Sequence, residues 1–496
     1  MALDQTRAPY FQALLDYVDA GVIPFHTPGH IQGIGMDLAF REFVGDNICA
    51  IDLTPMPGID DLLQPTESIK EAQELAAQAW GADRTFFLIN GSTSGNQCMM
   101  MAALNSGEKI AVPRNSHKSM LGGLVMSGAL PIYMAPEVDE ELRVDHCVTP
   151  ETVARTLEEH PDLTAVYLVS PTYYGVAADL AAIERIVHDA GKVLLVDEAW
   201  GPHFHFHPAL PLSATAAGAD LCINSTHKML SSFSQCAMLH HRGKRVAIDR
   251  LESVLKMFLS TSPNLPMVAS LDVARKQMAT EGAALLSRTI ELAEETRARL
   301  NEIPGIYCFG EEIQGRNGVF DLDPTKIVVT VKGLGYTGYE ASSILRRRYN
   351  IQVELADLFN VVALFTIGTT RDAAERLILA FEEMARDDRP IDMFAPSGIL
   401  EERLRRGTFR LPAVPPMRML PREAFLAEAE FVKFRESQGR ICAETLTPYP
   451  PGIPVIAPGE EITQEIINYL RLELKAGVRI QGPHDGELRL IRVVKE

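Results

Sequence analysis

A lysine, an acid and a row of hydroxyls stand just past three apolar runs of this chain. The lysine is Lys228, in Asn224-Ser225-Thr226-His227-Lys228-Met229-Leu230, after a run at 219–223 that reads as a short buried strand. An amine held away from water has a lowered pKa and becomes a nucleophile toward carbonyls. On that stretch alone, a solvated loop lysine is the simpler reading. Two other stretches change it. In Val193-Leu194-Leu195-Val196-Asp197, four apolar residues end in an acid. That pattern describes a central parallel strand with a carboxylate at the sheet edge where open α/β folds bind ligands. The strand at 85–89 runs into Asn90-Gly91-Ser92-Thr93-Ser94-Gly95-Asn96, with a helix expected to begin near Asn96. Backbone N–H groups at a helix start, beside hydroxyls, make an anion site. An anion cradle, a carboxylate and an activated lysine are what pyridoxal 5′-phosphate requires. They would serve its phosphate, its ring nitrogen and its Schiff base.

These groups need a sheet to carry them. Strand patterns fall at 85–89, 109–113, 130–134, 164–169, 192–197 and 219–223, with helical stretches between, such as 150–159 and 179–190. That alternation implies right-handed crossovers and a mainly parallel sheet covered on both faces, an α/β fold. A short amphipathic helix is expected from 9 to about 22, with Phe11, Leu14, Leu15 and Val18 at helical spacing. Further helices are expected at 69–80 and, closing the region, at 265–300. A second alternation follows: strand 326–331, helix 339–348, strand 361–365, helix 371–386. It suggests another, smaller α/β layer. The charged, Pro-containing segment 387–396 reads as a linker. A last unit holds a helix at 462–474 and a strand at 488–494. The chain thus divides into an N-terminal arm (1–35), a large domain (36–301), a small domain (302–390) and a C-terminal domain (398–496).

Several motifs now fall into order: Phe25-His26-Thr27-Pro28-Gly29-His30, Gly58-Ile59-Asp60-Asp61-Leu62, Arg114-Asn115-Ser116-His117-Lys118-Ser119 and Ser225-Thr226-His227-Lys228. Near the C-terminus come Pro448-Tyr449-Pro450-Pro451-Gly452-Ile453-Pro454 and Pro458-Gly459-Glu460. With these the chain resembles, over nearly its whole length, the fold-type I pyridoxal-phosphate-dependent ornithine/lysine/arginine decarboxylases, in particular their short bacterial arginine decarboxylase form. One departure is that Ile31-Gln32 follow Gly29-His30 where the family carries a lysine. The resemblance implies decarboxylation of a basic amino acid, arginine to agmatine first, with lysine or ornithine as alternatives, in polyamine biosynthesis. It implies roles too. Lys228 would hold the cofactor and Asp197 would pair with its ring nitrogen. Ala199 would lie under the ring and His117 over its other face. Thr93, Ser94, Ser225 and His227, with Ser92, would contact the phosphate. His227 or Lys228 would return the proton to Cα. Thr261, in Ser260-Thr261-Ser262-Pro263, would reach the neighbouring subunit's cofactor phosphate, so the active sites of a homodimer would be shared. The N-terminal arm would pack on the partner. Trp200 bears on the pocket that selects the substrate.

Composition narrows the alternatives. The chain of 496 residues is 46% hydrophobic and 23% charged, a globular composition with room for two or three domains. A net charge of -18 argues against a nucleic-acid surface. The seven cysteines are scattered and odd in number, and none forms a C-x-x-C pair, which points to free thiols in a reducing compartment. No apolar run approaches the ~18 residues of a membrane helix, and the N-terminus lacks a signal pattern. A soluble cytoplasmic protein is expected.

Two patterns compete for other chemistry. His203, His205 and His207 alternate, and on a strand they would share one face, as a zinc site requires. No fourth ligand is visible, so no metal is expected, and His203 is placed near the cofactor. Gly333-Leu334-Gly335-Tyr336-Thr337-Gly338 follows a strand and precedes a helix, with Glu354 at the distance of a dinucleotide fingerprint. A dehydrogenase would use that loop and ignore Lys228. An aminotransferase would keep Lys228 and Asp197 but release no CO2. Glu354 and Asp357 are alternatively candidates for the cationic end of the substrate.

Overall fold

The computed structural model describes residues 3–386, 412–449, 452–475 and 478–496. These residues gather into two compact units. The first lies within Met1–Ala103, Val193–Arg288 and Thr366–Gly368, and the second within Leu104–Lys192, Thr289–Phe365 and Thr369–Glu496.

In the first unit, four strands lie in the order Arg84–Leu88, Ala237–His241, Leu221–Asn224, Val193–Asp197. The last two run parallel, with Asp197 opposite Ile223. Every residue of Val193–Asp197 is buried, as a strand covered on both faces must be. The strand Ala237–His241 is absent from the sequence expectation, because two histidines end its apolar run. It runs antiparallel to both of its neighbours and is fully buried. His240 bonds Thr85 and Asn224 through its two ring nitrogens, and His241 donates to the Val246 carbonyl, its Nδ1 being buried with no hydrogen-bond partner among the described residues.

The helix Gly91–Ala103 starts earlier than expected, directly behind the strand Arg84–Leu88. Ser, Thr and Gly are poor in helix interiors, which argued for a loop. In a first turn that cost is small, since the N–H groups there have no intrahelical partner to lose. Gly91, at φ +72°, makes the sharp entry. Gly95 allows the helix to sit on the sheet, because a Cβ there would lie 2.3 Å from Ile223 Cδ1.

The N-terminal helix Pro9–Asp19 docks on its own chain, with Tyr10 and Leu14 fully buried. Asp272 accepts from Tyr10 N at 2.9 Å and pairs with Arg275 at 2.7 Å, both of those charged side chains being 0% exposed. The chain beyond the helix exposes Ile23, Phe25, Ile34, Leu38, Phe40 and Phe43.

In the second unit, the strands Leu163–Val169, Lys109–Pro113 and Leu130–Met134 pair in parallel. A separate four-stranded sheet has the order Tyr307–Cys308, Lys326–Thr330, Asn360–Leu364, Leu355–Ala356 and is antiparallel throughout. The smaller region thus alternates strands and helices as expected, but its neighbouring strands run antiparallel. The reason is a tight turn: Asp357 accepts from Phe359 N and Asn360 N, at 2.7 and 2.8 Å, and reverses the chain between its last two strands. This sheet has its own core, including Val329, Leu345 and Phe381. The C-terminal residues have another, with Phe434, Ile466, Leu470 and Ile491. The expected linker at 387–396 falls outside the described residues.

Candidate active site

The register of the Val193–Asp197 and Leu221–Asn224 strands brings the expected acid and the expected lysine into one neighbourhood of the first unit. Asp197 is 4% exposed. Its Oδ2 accepts from Asn96 Nδ2 at 2.7 Å, and its Oδ1 accepts from Ala199 N at 3.0 Å. The carboxylate is thus held rigidly by a helix on one side and by its own turn on the other.

The strand Leu221–Asn224 passes through Ser225 into the short helix Thr226–Met229, which carries Lys228. Lys228 is half-buried, and its Nζ lies 3.8 Å from the centroid of the Trp200 ring. A cation over an indole face gains electrostatically from the ring quadrupole. Trp200 follows Asp197 and Ala199 on the same turn, so the acid-bearing segment also positions the amine. His227 donates from Nδ1 to the Cys236 carbonyl at 2.8 Å, which leaves Nε2 as the acceptor nitrogen of the neutral ring. Ser225 Oγ donates to Ser92 Oγ at 2.7 Å, joining the Lys228 turn to the first turn of the helix Gly91–Ala103. Thr93 is exposed on that turn, and Ser94 Oγ bonds back to the Gly91 carbonyl at 2.9 Å.

These residues fit pyridoxal 5′-phosphate. The start of the helix offers N–H donors and a positive dipole end to a phosphate, with the Ser92 and Ser225 hydroxyls beside it. A fixed carboxylate and a primary amine stand on adjacent strand ends. Thr226 Oγ1 is buried and has no hydrogen-bond partner among the described residues, the state of a hydroxyl that an added polar group would satisfy.

Other expected residues lie elsewhere. His117 belongs to the second unit, in the turn after Lys109–Pro113, where its Nδ1 meets Ser119 Oγ at 2.8 Å. Thr261 is exposed between the helices Ile248–Phe258 and Leu265–Asn301. Phe204–Phe206 forms a 3-10 turn and not a strand, so alternation does not align the three histidines. His205 bonds Ser213 and His207 bonds Ser287, while His203 is fully buried against Phe204. His26 bonds Tyr17 and His30 bonds Asp52, both as loop packing. The glycine-rich segment is also structural. The strands that flank the helix Gly338–Arg348, Lys326–Thr330 and Leu355–Ala356, are not neighbours: each pairs antiparallel with Asn360–Leu364 lying between them, whereas a dinucleotide unit lays its two strands side by side in parallel. Gly338 is explained by close packing, since a Cβ there would meet the Asn360 carbonyl oxygen at 2.2 Å. Glu354 is exposed, and Asp357 is occupied by its turn and by the Tyr174 hydroxyl at 2.7 Å. A cleft of about 250 Å³ in the first unit, lined by Lys70, Arg84, Phe86, Glu252 and Lys256 among others, includes none of the expected residues.

Sequence reasoning missed two residues around Asp197 in the first unit and, separately, one ion pair in the second. Asn96 carries a faint signal, an amide inside a helix where propensity disfavours it. Glu198 stood in plain view beside Asp197. The ion pair is Arg114 and Glu460, each noted in its motif but not joined to the other. Arg114 Nη1 and Nη2 bond Glu460 Oε1 and Oε2 at 2.6 and 3.0 Å, and Nη2 also bonds the Val455 carbonyl. Glu460 is fully buried and the guanidinium stacks over Tyr133. Burial opposes the Arg114 charge, but Glu460 more than offsets this and raises the guanidinium pKa. The bidentate pair fixes the start of the turn that carries His117.

Models of known families agree with this geometry. The Orn/Lys/Arg decarboxylase major domain matches residues 8–373, and the Orn/Lys/Arg decarboxylase C-terminal domain matches residues 403–482. The chain belongs to the Orn/Lys/Arg decarboxylase family. Within that family it is 44% identical to an arginine decarboxylase of Bacillus subtilis (strain 168) over 494 residues, 100% of this chain and 99% of that protein. It is 28% identical to a lysine decarboxylase of Pseudomonas aeruginosa, over 93% of this chain and 75% of the other. Among solved structures, a Francisella novicida lysine decarboxylase superposes with a TM-score of 0.85 at 26% identity, covering 98% of this chain and 81% of that one. An alanine–glyoxylate aminotransferase from Nostoc sp. shares the fold over 67% of this chain and 89% of its own, with a TM-score of 0.53 and 20% identity. The decarboxylase family and the mainly parallel α/β architecture thus agree with the motif order.

Proposed function

We propose that this protein removes the α-carboxylate of L-arginine as CO2, leaving agmatine, with pyridoxal 5′-phosphate bound between Lys228, Asp197 and the first turn of the helix Gly91–Ala103. The convergence of Lys228, Asp197 and the Ser92–Ser225 hydroxyls in one unit carries the reading. Full-length similarity to a Bacillus subtilis arginine decarboxylase favours arginine over lysine and ornithine.

Pyridoxal phosphate supplies an aldehyde and a ring that withdraws electrons from the substrate's α-carbon. The chain does the rest. Lys228 provides the amine that anchors the group. Asp197, pinned by Asn96 and Ala199 N, would pair with the ring nitrogen and keep it protonated. Ser92, Thr93, Ser94 and Ser225 would hold the phosphate and Ala199 would support one ring face; the resemblance gives the other face to His117. His227, with Nδ1 committed to the Cys236 carbonyl, uses Nε2 to exchange a proton near the α-carbon. Orientation of the carboxylate within this frame selects which bond breaks.

The working form is read as a homodimer in which Thr261 reaches across to the other site. Its support is the apolar surface after the first helix, where Phe25 is 97% and Phe43 is 89% exposed. A cytoplasmic location is supported by seven buried free cysteines. Among the described residues no helix is long and apolar enough to cross a membrane. The division into an arm, a large domain (36–301), a small domain (302–390) and a C-terminal domain (398–496) draws support from the separate apolar cores of the last two.

Purified protein incubated with arginine, lysine or ornithine, with amine products and CO2 both measured, tests the reading. Agmatine is expected at the highest kcat/KM. Cadaverine or putrescine alone would overturn the substrate, and amino-group exchange without CO2 would overturn the reaction.

A further inference from the structure

Glu198 follows Asp197, so its side chain leaves the strand end on the opposite side. It is 1% exposed. Its Oε1 accepts from Ala214 N at 2.6 Å, and its Oε2 accepts from Asn224 Nδ2 at 2.9 Å and from the Cys222 thiol at 3.5 Å. Its backbone carbonyl accepts from the same Asn224 amide at 3.1 Å, and its N–H donates to the Ile223 carbonyl at 3.0 Å. Asn224 is the last residue of the strand that leads into Ser225-Thr226-His227-Lys228.

The chain of bonds continues across the sheet. Asn224 Oδ1 meets His240 Nε2 at 3.0 Å, and His240 Nδ1 meets the Thr85 hydroxyl at 2.8 Å. Burial holds His240 down to about 3, so the ring is neutral. With an amide oxygen opposite Nε2, the proton sits on Nε2 and the Thr85 hydroxyl donates to Nδ1. Every group facing the Glu198 carboxyl, namely Ala214 N, Asn224 Nδ2 and the Cys222 thiol, is a donor. Geometry therefore favours the ionised form, while burial, the largest influence, pushes Glu198 up to about 7. The titratable groups around it are Asp197 on its own strand and Cys222 on the next, with His240 beyond Asn224. Burial and the Glu198 charge together hold the Cys222 thiol far above its usual value.

We propose that Glu198 is a positioning residue of the site. It ties the end of the Lys228-bearing strand to the end of the Asp197-bearing strand through Asn224, and its buried charge strengthens the hold of Asp197 on the proton of the cofactor's ring nitrogen. The same residue sets both the distance between the two groups and the field they share. The inference rests on the pyridoxal phosphate reading. Failure of that reading would appear as wild-type protein that binds no cofactor, a result independent of Glu198.

The test compares Glu198→Gln and Glu198→Asp with wild type in the full chain. Gln removes the charge at similar shape; Asp keeps the charge but is too short to span Ala214 N and Asn224. Cofactor affinity of the stripped protein is read by quenching of tryptophan fluorescence, and the pH midpoint of the bound cofactor's visible absorbance is titrated. In Glu198→Gln the affinity is expected to fall about tenfold and the midpoint by about one unit, as loss of a nearby negative charge disfavours protonation. kcat should fall more than tenfold while KM changes less than twofold. Glu198→Asp should restore the midpoint but not the affinity. Wild-type affinity and midpoint in Glu198→Gln would overturn the proposal, as would a loss confined to thermal stability. Should Glu198→Gln not fold, Asn224→Ala serves instead, with the same tenfold loss of affinity expected and wild-type affinity counting against it.

Discussion

The strand ends that hold Asp197 and Lys228 and the turn that begins at Arg114 are built on different principles. In the first, two parallel strands in register deliver the groups, and short hydrogen bonds to Asn96, Ala199 N and Asn224 refine them. In the second, a buried ion pair joins residues 346 positions apart and holds a backbone turn in place. The sheet at the first site stands whether or not a given side chain reaches its partner. The second has no such ladder between its members, so the ion pair and the hydrogen bonds to Val455 O and from Ala457 N hold it. The proposed chemistry is therefore mounted where the backbone already provides order, and an ion pair supplies the order where it does not.

Substitutions at the two places should separate accordingly. Lys228→Ala should cost roughly 10³-fold or more in turnover while the thermal midpoint stays near wild type. Residual turnover within tenfold of wild type would remove Lys228 from its role. Glu460→Ala should do the reverse. It strands a buried guanidinium and is expected to cost about 3–5 kcal/mol in denaturant unfolding, whereas replacing both partners by apolar residues should recover much of that loss. Equal losses in the single and double variants would show that the pair is not the source.

Buried acids in the second unit, with no cation among the groups that shift their pKa, sharpen the contrast. Burial lifts Glu473 from 4.5 to about 7 and, with Asp357 nearby, Asp145 from 3.8 to about 6. An acid whose folded pKa lies above its unfolded one binds protons more tightly when folded. Its contribution is present at low pH and is lost as pH rises through the folded value. Unfolding free energy should thus decline between about pH 4 and 7 on their account. Glu473→Gln should change little near pH 5 and stabilise by about 1 kcal/mol at pH 8. Thermal midpoints across that range test this, and an equal effect at both pH values would rule out the titration.

Much of the frame was legible beforehand. The strands Lys109–Pro113 and Leu130–Met134 and the helices Pro150–Glu159 and Arg371–Arg386 fall where hydrophobic periodicity places them. The strand Ala237–His241 was hidden because its histidines look polar until Asn224 and Thr85 are seen to bond His240 and the Val246 carbonyl His241. The antiparallel course of the Lys326–Thr330 sheet was hidden because pattern reports strands and helices, but not the Asp357 turn that reverses direction. At the proposed site, Lys228, Asp197 and the serines were singled out by their positions after apolar runs. Asn96 was not, since nothing in a helix pattern names the carboxylate an amide will meet.

Taken alone, the order of residues determined which groups could do chemistry, which apolar runs form buried strands, and the family to which the chain belongs. These depend on composition, alternation and motif order, all local in the chain. Only the fold decided which groups meet: Asn96 with Asp197, Glu198 with Asn224, Arg114 with Glu460, Lys228 with the face of Trp200. Hydrogen bonds, buried charges and ring contacts act over a few ångströms, and distance along the chain does not determine distance in space.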